Sequence, residues 1–232
     1  MFKLSFSLLI SDSLHLAMLC FYLAPTSILQ HWLLPSEWLR EVPGKIIRLS
    51  WCTMEIMLCG LAINRYMAAC KPNQYNVWFS DYRTNWAAVI VWILGSIVCI
   101  LGELVVPCCS LYLYYGSYSY AYLSDDHKYN HTYVTRAMDI LTSIINVLLH
   151  AFALLRHRRR EVRYAMQLMI VSIIYLAVWI LFDVLSGLIS PQTAPVGGYI
   201  FVSFLQLLNA SSNGFVLLFY NKEVKKEAKE LI

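Results

Sequence analysis

The sequence predicts an all-α fold, a multi-pass bundle of transmembrane helices with six visible spans. Three observations carry that expectation. Of 232 residues, 59% are hydrophobic and only 14% charged, whereas soluble domains sit near 45–50% apolar and about 25% charged. Mean hydropathy is +0.57. Residues 86–102, 164–182 and 184–221 contain no Asp, Glu, Lys or Arg, and a charge-free stretch of roughly 18 residues or more crosses the hydrocarbon core as a helix.

The spans read as about 4–29, 46–65, 86–106, 137–156, 166–189 and 199–220. The opening Met1-Phe2-Lys3 mimics a signal peptide. It lacks a small-residue cleavage site and runs on through Asp12 and His15, so 4–29 reads as a retained span. The second span closes on "GLAINRY", with a guanidinium at its mouth. The third and fourth are joined by the tyrosine-rich "SLYLYYGSYSYAYLSDD" and the sequon Asn130-His131-Thr132, an expected glycosylation site. Its tyrosines suit either an interfacial aromatic belt or a loop or β-hairpin over a ligand entrance. The basic "RHRRREVR" links the fourth and fifth spans, and a charged tail, 221–232, follows the sixth. No linker, repeat or low-complexity tract divides the chain, so one domain, 1–232, is expected.

Lys and Arg set the orientation. Lys3; Arg65, Lys71 and Arg83; Arg156, Arg158, Arg159, Arg160 and Arg163; and Lys222, Lys225, Lys226 and Lys229 all fall on the side of the N-terminus. Arg40, Lys45, Arg48, Lys128 and Arg136 fall on the other. This bias of thirteen against five assigns both termini to the cytoplasm.

Composition argues against other classes. No basic run is interleaved with stacking aromatics, so nucleic acid is not an expected partner. The six histidines are scattered, no His-Glu-x-x-His or nucleophile–base pairing stands out, and the seven cysteines lack metal-ligand spacing. No enzyme activity, cofactor or metal centre is expected. A six-span transporter or channel remains an alternative, although inverted repeats and paired Gly/Pro interruptions are not visible.

Polar residues inside spans are costly and face the bundle interior. Asp12 and Asn213 each lie about eight residues, roughly 12 Å, from the cytoplasmic edge, and Asn209 lies one turn above Asn213 on the same face. Two readings are open: interhelical glue, or a polar cluster with a switching role. Glu55 lies ten residues, roughly 15 Å, above Arg65. A carboxylate there must be protonated or paired, and Asn146 and His150 are the partners that spacing on the fourth span offers.

Asn64-Arg65-Tyr66 resembles the acidic-Arg-Tyr motif that closes the third helix of rhodopsin-like G-protein-coupled receptors. The wider text resembles one nematode group more closely, the serpentine chemoreceptors of the srx class. The matching pieces run in order: "CFYLAP", "LAINRYMAACKPNQYNVWFS", "PCCSLYLYY", Asp139, Gln167 and "SNGFVLLFYNKEVKKE". Each is weak alone; their sequence along the chain is fairly specific. The resemblance implies that residues 4–29 correspond to the family's second helix, so the six spans are helices two to seven and the first is absent. It implies a chemosensory receptor that binds an unknown small-molecule or peptide ligand from outside. Signalling would run to a heterotrimeric G protein through Asn64, Arg65, Tyr66, Arg158, Arg159 and Arg160.

The candidate pocket under that reading is Glu55, Asn146 and Trp179; Asp12, Asn209 and Asn213 resemble the sodium-and-water pocket of rhodopsin-like receptors. The expected location is the plasma membrane, in sensory cilia for a working chemoreceptor. Departures are also legible. Asn64 cannot form the acid's ion pair with Arg65, no cysteine stands at the outer end of the second span, and Gly214 and Leu217 replace a proline and a tyrosine. A truncated, non-functional paralogue is therefore a further alternative.

Overall fold

The computed structural model describes residues 2–102, 111–122, 136–155, 169–170, 172–181 and 196–220. Among them run α1 (Phe2–Met18), a π turn (Leu19–Leu23), α2 (Ala24–Leu29), α3 (Glu37–Cys70), α4 (Pro72–Trp78) and α5 (Asp81–Ile100). A two-stranded hairpin, β1 (Leu111–Tyr114) and β2 (Ser119–Tyr122), precedes α6 (Arg136–Leu155). Then come α7 (Ser172–Leu181) and α8 (Val196–Tyr220). Among the described residues, three stretches are long and apolar enough to cross a membrane by themselves, Lys3–Leu29, Trp38–Ala68 and Asp81–Ile100.

The first rod stays continuous through Pro25, which has no N–H to give and whose ring crowds the carbonyl four residues back. The chain widens into the π turn just before it. Thr26 Oγ1 then donates across the Tyr22 and Leu23 carbonyls, at 2.9 Å from each. The rod ends where Gln30 turns left-handed, at φ 53°.

The helix over the second span is much longer than the apolar run of 46–65. Ser36, in extended backbone, caps it by accepting from the Leu39 N–H at 3.4 Å, and it continues through Pro43 to Cys70. Polar residues 37–45 hide that start from a hydropathy reading, because helix hydrogen bonds are local and indifferent to hydropathy.

Long helices alternate in direction. Lys3 Nζ lies 3.3 Å from Asp81 Oδ1, so α1 and α5 start at one end of the bundle. There Leu4 and Leu8 pack with Met57, Leu58 and Leu61 of α3 in an inner apolar cluster that also takes in Tyr175. An outer cluster joins Leu19, Tyr22 and Leu23 to Ile47, Val202 and Leu113 of the hairpin, with Leu181 against it. Thus α7 runs from inner to outer cluster, while α8 descends beside α1, from Gln206 opposite His15 to Gly214 opposite Leu9. Apolar residues such as Val89, Ile93 and Ile97 of α5 point outward, as lipid-facing positions do.

The hairpin closes the outer end. Its register pairs Leu113 with Tyr120 and Tyr114 with Ser119. Tyr118 sits at the turn with φ 55°. Its hydroxyl accepts from Gln30 Nε2 at 3.1 Å, and its carbonyl accepts from Ser203 Oγ at 2.9 Å. The described part of the tyrosine stretch folds as this hairpin.

Candidate functional site

Midway along α3, four side chains from three helices converge. Trp51 and Glu55 stand one turn apart on α3, Asp139 lies in the first turn of α6, and Tyr175 lies on α7. Glu55, Asp139 and Tyr175 are each about 1% exposed. The Tyr175 hydroxyl bonds to Glu55 Oε1 and lies 2.7 Å from Asp139 Oδ1. Trp51 Nε1 donates to the same Asp139 oxygen at 3.3 Å, and its ring packs on Tyr175, centroids 5.2 Å apart.

One hydroxyl carries one proton, so between two carboxyl oxygens it donates to one and accepts from the other. Glu55 and Asp139 also hydrogen-bond each other. A low-dielectric interior favours burying one negative charge over two, so the pair holds a proton between them.

The cluster continues toward α1 and α8. His15 packs on Trp51, ring centroids 6.3 Å apart. Its Nε2 lies 3.4 Å from Gln206 Oε1 and its Nδ1 lies 3.4 Å from Ser50 Oγ. Ser50 donates to the Ile47 carbonyl at 2.7 Å, and Ser11 donates to the Ser50 carbonyl at 2.7 Å. One contiguous polar path therefore touches α1, α3, α6, α7 and α8.

Below it, α6 runs parallel to α3. Cys59 Sγ is 3.8 Å from the Thr142 carbonyl, and His150 lies within electrostatic reach of Arg65. Arg65 is 9% exposed and Asn64 fully buried; Asn64 Nδ2 reaches the Tyr75 hydroxyl of α4 at 3.4 Å. The arginine is thus walled in five residues before the end of α3, whereas a span ending at 65 would leave it at an open mouth. Tyr66, next to it, is half-buried.

The other expected residues fall out as follows. Asn146 and His150 are buried on α6, but His150 Nδ1 is turned onto the Asn146 carbonyl at 2.7 Å. Glu55 finds Tyr175 of α7 and Asp139 in their place, Asp139 standing two turns before Asn146 on α6. Trp179 lies one turn beyond Tyr175 and is half-buried. Asp12 and Asn209 are buried on the adjoining α1 and α8, and Asn209 Nδ2 contacts Met54 Sδ at 3.8 Å. Asn213 belongs to α8, but its side chain lies outside the described residues, as do Asn130, Arg158, Arg159, Arg160, Gln167 and the tail.

Sequence reasoning missed Trp51, Tyr175, His15 and Gln206 as members of the site. Tyrosine and tryptophan blend into an apolar run. The available signal was spacing: Trp51 and Glu55 share a helix face at i, i+4, as do His15 and Ser11.

Helices thus alternate through a bundle, a polar path joins five of them, and an arginine is enclosed beside an asparagine at one end. No curated protein matches the chain. A family model, serpentine type 7TM GPCR chemoreceptor Srx, matches residues 2–221. With nearly its whole length matched, this multi-pass membrane protein belongs to the Srx family of serpentine 7TM GPCR chemoreceptors.

Proposed function

We propose that the chain is a chemosensory receptor of the plasma membrane that turns ligand binding near the hairpin into activation of a cytoplasmic heterotrimeric G protein. The observation that carries this reading is the Tyr175 hydroxyl shared between Glu55 of α3 and Asp139 of α6. That contact ties three helices at a point about 15 Å above Arg65 on the same α3 rod. A ligand that favours a different packing of the outer helices shifts the population of this joint, and α3 and α6 carry the shift toward Arg65 and His150. The basic segment 156–163 and the Asn64-Arg65-Tyr66 end face the cytosol, and the Asn130 loop faces outward.

Arg65 is the direct test. Arg65→Ala is expected to abolish G-protein activation while surface-labelled receptor stays near the wild-type amount. Surviving signalling would remove Arg65 from the coupling role and with it the proposed route.

A further inference from the structure

We infer that the Glu55–Asp139 pair is a proton-binding site of the receptor: it holds one proton while Tyr175 is docked on both carboxyls, and takes up a second, from the cytosol, when α7 moves away. This rests on the receptor reading above and adds cytosolic acidity to what governs the balance between packings.

The count of donors sets the direction. With Tyr175 in place, the negative charge left on the pair is supported by the tyrosine hydroxyl and the Trp51 indole N–H. Trp51 stays with α3 when the bundle repacks, whereas Tyr175 leaves with α7. A carboxylate that loses a donor while still enclosed loses ground against its acid form. It therefore binds a proton taken from cytosolic hydronium, leaving water. One O–H bond forms on a carboxylate oxygen, and the pair goes from singly charged to neutral.

The α6 side of the pair supplies the route. Asp139, Ser143, Asn146 and His150 recur at spacings of four, three and four residues, which is one face of a helix. All four are buried. That face is turned to α3, since Asp139 reaches Trp51 at one end and His150 lies within electrostatic reach of Arg65 at the other. Ser143 Oγ, Asn146 Oδ1 and His150 Nε2 have no hydrogen-bond partner among the described residues. Polar atoms so enclosed are costly unless they pass bonds along a chain through water. His150 Nδ1 faces the Asn146 carbonyl and so carries the ring hydrogen, which leaves Nε2 as the acceptor of the neutral ring. The row spans about three turns from the pair toward the inner end, as a relay of acid, hydroxyl, amide and imidazole inside a membrane does.

Other titratable or charged groups surround the pair. They are Arg48, Cys52 and Cys59 on α3, His150 on α6, His15 and Asp12 on α1 and Cys99 on α5, with the neutral Gln206 of α8 beyond His15.

The first arm of the test needs no G protein. The full chain in lipid nanodiscs is read by the infrared C=O stretch of carboxylic acids, which does not respond to histidine or cysteine titration. The part of that band lost in the Glu55→Gln/Asp139→Asn double variant belongs to the pair. It should be present in wild type at neutral pH. It should grow about twofold in wild type on acidification, and about twofold at neutral pH in Tyr175→Phe, where the ring stays but the donor is gone. The second arm clamps cytosolic pH in cells. Basal G-protein activation per surface receptor, relative to the double variant, should rise by up to about tenfold per unit of cytosolic acidification, the limit for one proton. Any of three results overturns the inference: no acid band from the pair at neutral pH, no growth of it in either titrated wild type or Tyr175→Phe, or a response that follows the medium and not the cytosol. The infrared arm measures no coupling, so its failure leaves the Arg65→Ala result standing, and signalling that survives Arg65→Ala leaves the infrared result standing.

Discussion

Tyr175→Phe lowers the stability of the bundle by about 1–3 kcal/mol, a change of roughly 5- to 150-fold in the folding equilibrium. The aromatic ring and its packing on Trp51 survive the substitution; only the oxygen goes. What remains is the Glu55–Asp139 carboxyl pair without the hydroxyl that bonded to both, each about 1% exposed. Interhelical hydrogen bonds in membranes average only about 0.6 kcal/mol, because the unfolded helices find other partners in the same lipid. A buried carboxylate is the exception that pushes this case upward, since losing a donor leaves charge unscreened. Glu55→Gln should behave differently. The glutamine amide still donates to the Tyr175 oxygen, so its cost is expected below about 1 kcal/mol. Tyr175→Phe made in the Glu55→Gln background should cost less than in wild type, a coupling of about 0.5 kcal/mol or more. Detergent-solubilised protein, heated and scored by the monodisperse fraction remaining, checks all three. Equal, additive losses would contradict a hydroxyl shared between the two carboxyls.

Gly95→Leu is expected to do more damage, by separating α5 from α3. A Cβ at Gly95 would stand 2.5 Å from Thr53 Oγ1 and 3.2 Å from both Cα and N of Thr53. The hydroxyl can rotate away; the backbone of α3 cannot. The helices therefore touch here only because the residue has no side chain, which is how small residues let helices approach in lipid. Even Gly95→Ala should cost about 1–3 kcal/mol of overpacking, and leucine should take surface expression close to zero. Gly60 supplies the contrast. Nothing lies within 4 Å of a Cβ built there, so Gly60→Ala should leave expression unchanged or raise it by removing a flexible helix residue worth about 0.5–1 kcal/mol. Surface labelling of the three variants in parallel decides it; equal expression of Gly95→Leu and Gly60→Ala would mean that α5 does not rest on α3.

The helices were legible in the sequence because in lipid an apolar run and a helix are nearly the same statement. The ends of α3 were not. Glu37 to Lys45 is polar and contains Pro43, so hydropathy stops near Lys45 although Ser36 already supplies a cap. The π turn ahead of Pro25 was equally hidden, since it answers to backbone sterics and not to hydropathy.

Within the site, Glu55 stood out as an acid at mid-membrane depth, but its partner choice did not. Tyr175 is 120 residues away in the chain, and which turn of α7 faces α3 depends on packing that spacing alone does not encode. Asp139 was noticed only for its place in the srx-like pattern. A carboxylate in a first helical turn reads as solvated until the neighbouring helices are seen to bury it. Histidine gave the same lesson: His15 looked isolated among six scattered histidines, yet it bridges Ser50 and Gln206.

The joint at Tyr175 is the element on which the receptor account turns, because it ties α7 to α3 and α6 about 15 Å above Arg65 on the α3 rod. Agonist-independent G-protein activation by Tyr175→Phe, normalised to surface-labelled receptor in the same cells, measures it most directly. Loosening α7 from α3 and α6 should change that basal activity by about tenfold relative to wild type, equivalent to about 1.4 kcal/mol in the balance between packings. Wild-type basal activity at wild-type surface density would show that the shared hydroxyl only holds the bundle together and carries no signal.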